Sequence, residues 1–454
     1  MVGLPARGKS YISKKLVRYL AWSGFNTRVF NVGNRRTTHD AKFFDPDNPE
    51  AAATRDKLAL ETLEEVIEWL HRGGGKVAIH DATNSTVRRR KMLFERVRKE
   101  KGIKALFIES ICTDSKVLEQ NIQMKLQGPD YKNMPPEMAM RDFMARTANY
   151  EKAYQTISQE EEEEDDLGFI KLVNVGKKVI AHNVHGYLES QCVFYLMQMH
   201  IKPRTIWLTR HGESEYNVSG QIGGDPPLTD LGRRYAKALA RFMRGFHPPS
   251  AVATSSTIPL SSSATIQQSQ PSTATLATPS EPFKRSSSIL DDDFGTDRGM
   301  SLSIWTSTLR RTFETVEWFD DEEYNIKRIK FLNEIYAGIC EDLTYLQIEE
   351  IYPDEYRARQ KAKLVYRYPG PGGESYVDVI ERLRPIIIEL ERMQTNVMIV
   401  THQVVLRTLL SYFVAVPLDQ MPTLSVPLHT LYCLKPKPYG ADLIKCELVG
   451  VRFD

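Results

Sequence analysis

The stretch GLPARGKS, residues 3–10, decides how the first half of this chain folds. It fits G-x-x-x-x-G-K-[ST] at every fixed position. Gly3 and Gly8 let successive backbone N–H groups turn inward as an anion nest, and a helix starting there adds its positive end. The residues that follow, SYISKKLVRYLAW (10–22), carry the pattern of that helix. In such a loop Lys9 reaches the β- and γ-phosphates of a nucleotide, and the Ser10 hydroxyl takes Mg²⁺.

Working outward, NTRVFNV (26–32), GKVAIHDAT (75–83) and KALFIESI (104–111) read as buried strands, and LALETLEEVIEWLHR (58–72) has helical apolar spacing. That β-α-β rhythm predicts a parallel sheet covered by helices. Asp81, closing the run KVAIH, is placed like a carboxylate that holds Mg²⁺ from a neighbouring strand end. An Asp there is commonly only a cap, and its weight comes from Lys9 and Ser10. Arg35, Arg36 and Arg55 are placed to clamp a phosphorylated acceptor through planar guanidinium groups. Surface charge is the open alternative. The acidic run at 160–166 reads as a solvated loop or helix edge. Only Met1 and Val2 precede the loop, so the strand that should enter it is nearly absent. A sheet lacking that strand is expected to lose apolar burial and to leave ladder hydrogen bonds unpaired, which puts the folding of this phosphate-loop unit in question.

A second phosphate device lies in LTRHGESEYN (208–217). Pro203 interrupts a helical pattern, and TIWLT opens a new strand feeding into Arg210 and His211. A neutral imidazole attacks phosphorus to give a phosphohistidine, and Arg210 beside it neutralises phosphoryl oxygens. Thr401-His402-Gln403, after the strand VMIV, adds a second histidine to hydrogen-bond the phosphoryl group. Glu334 in FLNEIYAG adds a carboxylic acid for the leaving alkoxide, and Arg311 adds a further cation.

The chain has 454 residues, 41% hydrophobic and 26% charged, with a net charge of +2. That length predicts two domains, and so small a charge argues against a nucleic-acid partner. No apolar run suits a membrane helix or signal peptide, and five scattered cysteines read as reduced thiols, so a cytoplasmic location is expected. Residues 250–288 hold 18 Ser or Thr and four Pro. Such a segment buries too little apolar surface to order itself, and a disordered insertion is expected at about 247–302. Its KRSSSI (284–289) suits a basophilic protein kinase, although such patterns are common in Ser-rich sequence.

Taken together, GLPARGKS, FNVG, DATN, KLQGPDY, RHGESEYN, IGGDPPLT, NEIYAG, YRYP, GESY and THQVVLRTLL resemble the bifunctional 6-phosphofructo-2-kinase/fructose-2,6-bisphosphatase family. The resemblance implies an N-terminal P-loop kinase domain over 1–202 and a C-terminal histidine-phosphatase, phosphoglycerate-mutase-like α/β domain over 203–454. It implies MgATP bound by Gly3, Gly8, Lys9, Ser10, Asp81 and Lys125, with Ser10 and Asp81 as metal ligands. Fructose 6-phosphate would meet Arg36, Arg55, Arg146 and Tyr150. In the second domain His211 would be the nucleophile, Glu334 the proton donor and His402 the partner of the phosphoryl group. Arg210, Asn217 and Arg311 would bind the 2-phosphate of fructose 2,6-bisphosphate. Tyr345, Arg359, Lys363, Tyr376, Gln403 and Arg407 would grip the rest, with no metal. A homodimer is implied too. Two departures stand out: the family's NVG-x-YRR reads NVGNRR at 31–36, and YPGPGGESY (368–376) carries an extra Gly-Pro. Two other readings stay open, a phosphatase with a disabled kinase and an ATP-binding scaffold without turnover. A polynucleotide kinase/phosphatase shares the two-device logic, but no basic, aromatic stripe supports it.

Overall fold

The computed structural model describes residues 1–35, 41–128, 131, 134–158, 161, 163, 167–246, 301–437 and 440–448. Arg36, most of the Ser/Thr-rich insertion and KRSSSI lie outside the described residues. The chain divides into two compact units, Met1–Ile201 and Lys202–Asp454.

In the first unit β1 (Thr27–Asn31) and β2 (Val77–Asp81) pair in parallel, with Asn31 opposite Asp81. β3 (Leu106–Ile111) pairs in parallel with β4 (Gly168–Val173), and β5 (Lys178–His182) closes that edge antiparallel. The 168–182 hairpin was not read from the sequence. Met1–Gly3 lies between the two sets. The Met1 amino group donates to the His80 carbonyl at 2.9 Å and Val2 N–H to the Ile108 carbonyl at 2.8 Å; Ser110 N–H returns to the Val2 carbonyl at 2.9 Å. Val2 is fully buried there with Phe94, Phe107 and Phe169. Met1 and Val2 therefore make part of the ladder expected to go unpaired.

The helix Pro49–Arg72 starts well before the predicted 58, because Asn48 caps it, accepting Ala51 N–H at 3.0 Å, and Pro49 presets its first turn. Its Ala59, Leu63, Val66 and Ile67, one stripe at helical spacing, pack with Phe30 and with Leu93 and Val97 of the helix Val87–Arg98. The acidic run needs a correction at one residue. Glu161 is buried and takes Arg90 Nε at 2.8 Å and a terminal nitrogen at 2.6 Å. The remaining Arg90 donors go to the Asn84, Gln155 and Thr156 carbonyls, so the pair ties 155–161 to the loop after β2.

The second unit, among the described residues, has a six-stranded sheet: β6 (Ile206–Arg210), β7 (Leu302–Thr306), β8 (Ile326–Arg328), β9 (Asn396–Thr401), β10 (Thr430–Lys437) and β11 (Gly440–Glu447), in the order β11-β10-β6-β9-β7-β8. β6, β9, β7 and β8 run parallel, and β10 and β11 form an antiparallel edge. β7 begins at Leu302, the last residue of the expected insertion. The helix Asp230–Phe246 lays Tyr235, Leu239, Ala240 and Met243 against Trp207, Ile304, Met398 and Val400 of the sheet. Burying each large side chain stabilises the unit by roughly 1.5–3 kcal/mol. Because β6, β7 and β9 are parallel neighbours, the residues just past their ends share one edge, and His211, Ser307 and His402 meet there.

Candidate active sites

In the first unit the sharp turn of the loop requires glycine. Gly3 has φ +133°, and a Cβ there would sit 2.5 Å from the Ser110 carbonyl oxygen. Gly8, at φ +90°, leads into the helix Lys9–Trp22, which no side chain caps, so its positive end is presented to the loop. Lys9 Nζ donates to the Leu4 carbonyl at 2.6 Å. Burial pushes the Lys9 ammonium down to about 8; Asp81 pulls it back, while Lys125, Arg146 and Arg7 press it further down. Four cations this close suit a polyphosphate. Asp81 Oδ2 accepts from Ser10 Oγ at 3.3 Å and from Asn31 Nδ2 at 2.9 Å. Asn31 holds that carboxylate in place, a role missed although the residue stands in FNVG. A hydroxyl and a carboxylate are the hard oxygen donors that Mg²⁺ prefers, so these residues fit the ion.

Arg55, Arg146 and Tyr150 gather on the turn Ala41–Phe44. Arg55 donates to the Phe43 carbonyl, Arg146 stacks 4.2 Å from the Phe44 ring centroid, and Phe44 lies 5.4 Å from the Tyr150 ring. Burial lowers the Arg55 guanidinium from its ordinary value. Arg35 departs from its expected place as a clamp. It pairs with Glu65 and, at 3.9 Å, with Glu61, because the helix Pro49–Arg72 presents those carboxylates beside it.

In the second unit a cleft of about 430 Å³ is lined by Arg210, His211, Asn217, Arg311, Glu334, Tyr345, Arg359, Lys363, Tyr376, Gln403 and Arg407. His211 is buried, and its ring centroid lies 5.1 Å from that of His402. Its Nδ1–H donates to the Gly212 carbonyl at 2.6 Å, which leaves the lone pair on Nε2. Burial, then Arg311 and Arg210, hold the ring well below its ordinary pKa, so it stays neutral. Arg210 donates to the Val426 carbonyl at 3.1 Å, and burial brings it down to about 10 against the pull of Glu334. Asn217 accepts the Ser214 N–H and Oγ–H through Oδ1, both at 3.0 Å, and its amide NH₂ is left for the cleft.

The tautomer of His402 follows from its neighbours. Arg311 Nε–H donates to Nδ1 at 3.3 Å, and Leu309 N–H donates to Ser307 Oγ at 3.1 Å. Both are obligate donors, so the ring proton sits on Nε2 and goes to Ser307 Oγ at 2.8 Å. The Ser307 hydroxyl then donates to Thr312 Oγ1 at 2.9 Å. Both His402 nitrogens are therefore engaged by Ser307 and Arg311. Ser307 itself escaped notice, since nothing in TSTLRRT marks it before β7 and β9 are paired.

Glu334 Oε1 accepts Ile335 N–H at 3.0 Å and Val404 N–H at 3.1 Å, with only a 3.3 Å contact to Oε2. Oε2 therefore takes only the longer branch of the Val404 bond. Further out, Arg359 donates to the Tyr345 hydroxyl at 2.8 Å and to Tyr368 at 2.9 Å, and Arg407 donates to the Tyr376 hydroxyl at 3.1 Å. Burial, with Arg359 and Arg407, pushes the Lys363 ammonium down to about 8. Among the described residues no helix is long and apolar enough to cross a membrane.

Comparison with known proteins covers both units. Residues 1–203 match the 6-phosphofructo-2-kinase family, and residues 206–261 and 297–448 match the histidine phosphatase superfamily, branch 1. A probable 6-phosphofructo-2-kinase of Schizosaccharomyces pombe is 45% identical over 97% of this chain and 68% of its own length. 6-phosphofructo-2-kinase 1 of Saccharomyces cerevisiae is 45% identical over 97% of this chain, which spans 50% of that relative. Human 6-phosphofructo-2-kinase/fructose-2,6-bisphosphatase 3 is 41% identical over 97% of this chain and 74% of its own.

Proposed function

This chain belongs to the 6-phosphofructo-2-kinase/fructose-2,6-bisphosphatase family, and on that premise we propose that its two units synthesise and hydrolyse fructose 2,6-bisphosphate. One observation carries the reading: an unprotonated His211 Nε2 faces a cleft ringed by cations, while the other unit holds a separate polyphosphate loop.

In the first unit ATP lies along the nest of Gly3–Ser10, with Lys9, Arg7 and Lys125 against its phosphates. Arg55, Arg146 and Tyr150, with Arg36, hold fructose 6-phosphate so that its 2-hydroxyl meets the γ-phosphorus in line. Positioning and charge neutralisation then lower the barrier without a strong general base. Ser10 and Asp81 are the residues that would hold Mg²⁺, which neutralises phosphate charge when bound.

In the second unit His211 Nε2 attacks the 2-phosphoryl phosphorus, and the bond from phosphorus to the sugar oxygen breaks. Glu334 gives its proton to the departing alkoxide. Water then attacks the phosphohistidine and returns a proton to Glu334, releasing phosphate. Arg210, Arg311 and Asn217 hold the phosphoryl oxygens, and His402 keeps Arg311 aligned. Tyr345, Arg359, Lys363, Tyr376, Gln403 and Arg407 grip the sugar and its 6-phosphate.

The test is to trap label from fructose 2,6-bisphosphate carrying ³²P on the 2-phosphate. Acid-labile label should appear on wild-type protein and vanish in His211→Ala; label retained in that variant sinks the assignment. A homodimer, a cytoplasmic location and a protein kinase acting on the Ser-rich insertion complete the proposal. Sedimentation, a fluorescent fusion and phosphosite mapping respectively check them.

A further inference from the structure

The Gly223–Gly224 turn is tied to the reacting edge from behind. Both glycines have positive φ, +72° and +54°, and a Cβ on Gly223 would fall 2.1 Å from a Glu341 carboxylate oxygen. Glu341 Oε2 accepts Gly224 N–H at 2.6 Å, and Oε1 accepts Ala337 N–H at 2.6 Å. The carboxylate therefore joins the two backbone segments that wall one side of the cleft, and Ile222 and Asp342 extend the junction with a backbone bond at 2.9 Å. The Gly224 carbonyl accepts an Arg311 terminal N–H at 2.8 Å, while Arg311 Nε reaches His402. Two points fix a guanidinium plane, and one of them is set by Glu341.

We propose that Glu341 is a positioning residue of the phosphatase reaction, clamping the Gly223–Gly224 turn so that its carbonyl holds Arg311 facing the phosphoryl group. The inference rests on reading this cleft as the phosphatase site. Glu341 touches no substrate in this account; it acts through Gly224 and Arg311. Its charge contributes as well, since Glu341 favours the charged form of Arg311. A glutamine keeps one acceptor and puts an NH₂ against the other backbone N–H, so half of the clamp is lost with little change in volume.

The experiment is a double-mutant cycle on the full chain, with fructose 2,6-bisphosphate as the probe. Glu341→Gln should lower kcat/KM about tenfold when Arg311 is present, a change of about 1.4 kcal/mol. In the Arg311→Ala background the same substitution should cost less than twofold. Gly223→Ala, which displaces the carboxylate from the other side, should show the same dependence on Arg311 and serves should Glu341→Gln not fold. Circular dichroism matches the variants for folding. Equal losses with and without Arg311 would overturn the positioning role, as would no loss at all. Hydrolysis that survives His211→Ala would instead sink the reading of the cleft, and the two failures are thereby distinct.

Discussion

Lowering the pH from 7.5 to 5.5 probes the neutral state of His211. In the folded protein burial, Arg311 and Arg210 keep its ring unprotonated. In the unfolded chain a histidine binds a proton below about pH 6.5. The folded-state pKa is thus the lower one, and the unfolded state binds more protons as the pH falls. The associated stability is fully present above pH 6.5 and is lost on acidification. While the folded ring stays neutral, this interval costs about 1.4 kcal/mol for one histidine. Urea unfolding of the full chain, followed by tryptophan fluorescence with Trp207 and Trp305 as buried reporters in this unit, reads the change. Subtracting the result for His211→Asn removes the contributions of other groups. The difference between the two proteins should shift by about 1.4 kcal/mol across the interval, with wild type losing more. Identical pH dependence in the two proteins would refute the argument and show that folded His211 takes up a proton freely. The same neutrality implies that kcat/KM for hydrolysis does not fall through protonation of His211 as the pH drops from 7 toward 6.

Three other outcomes are expected. Lys9→Met should abolish formation of fructose 2,6-bisphosphate while hydrolysis proceeds, as read by separate assays of the two directions; retained synthesis would remove Lys9 from the phosphate loop's chemistry. Glu161→Gln leaves Arg90 buried and short of its ion partner, and should destabilise the first unit by about 3–5 kcal/mol in chemical denaturation; a loss below about 1 kcal/mol would mean the pair is solvated. Leu239→Ala, which hollows the fully buried face of Asp230–Phe246, should cost about 2–5 kcal/mol in the second unit; a cost near zero would argue against that core.

Much of both sites was legible because their chemistry is written in contiguous residues. A phosphate loop needs its glycines, lysine and serine in one turn, and His211 of RHGE and His402 of THQ each stand directly after a strand. Residues whose meaning arises only when distant segments meet were not legible. Ser307 matters through His402, Glu341 through Gly224, and Asn31 through Asp81, and none of these contacts follows from local pattern. The same cause explains Arg35, read from sequence as a clamp with surface charge as the alternative, and found beside Glu61 and Glu65 of the helix Pro49–Arg72. Composition misled at Glu161: a run of like charge reads as solvated, yet one member found a buried arginine. The hairpins at 168–182 and 430–447 were passed over although β4 and the first five residues of β10 are largely buried; only their outer strands, β5 and β11, have the mixed exposure of a sheet edge.

The most direct test of the central claim uses His211→Ala, in which product is not destroyed as it forms. Supplied with MgATP and fructose 6-phosphate, this protein should accumulate fructose 2,6-bisphosphate, and adding Lys9→Met should stop the accumulation. Folded His211→Ala protein that forms no product would contradict a chain carrying both activities.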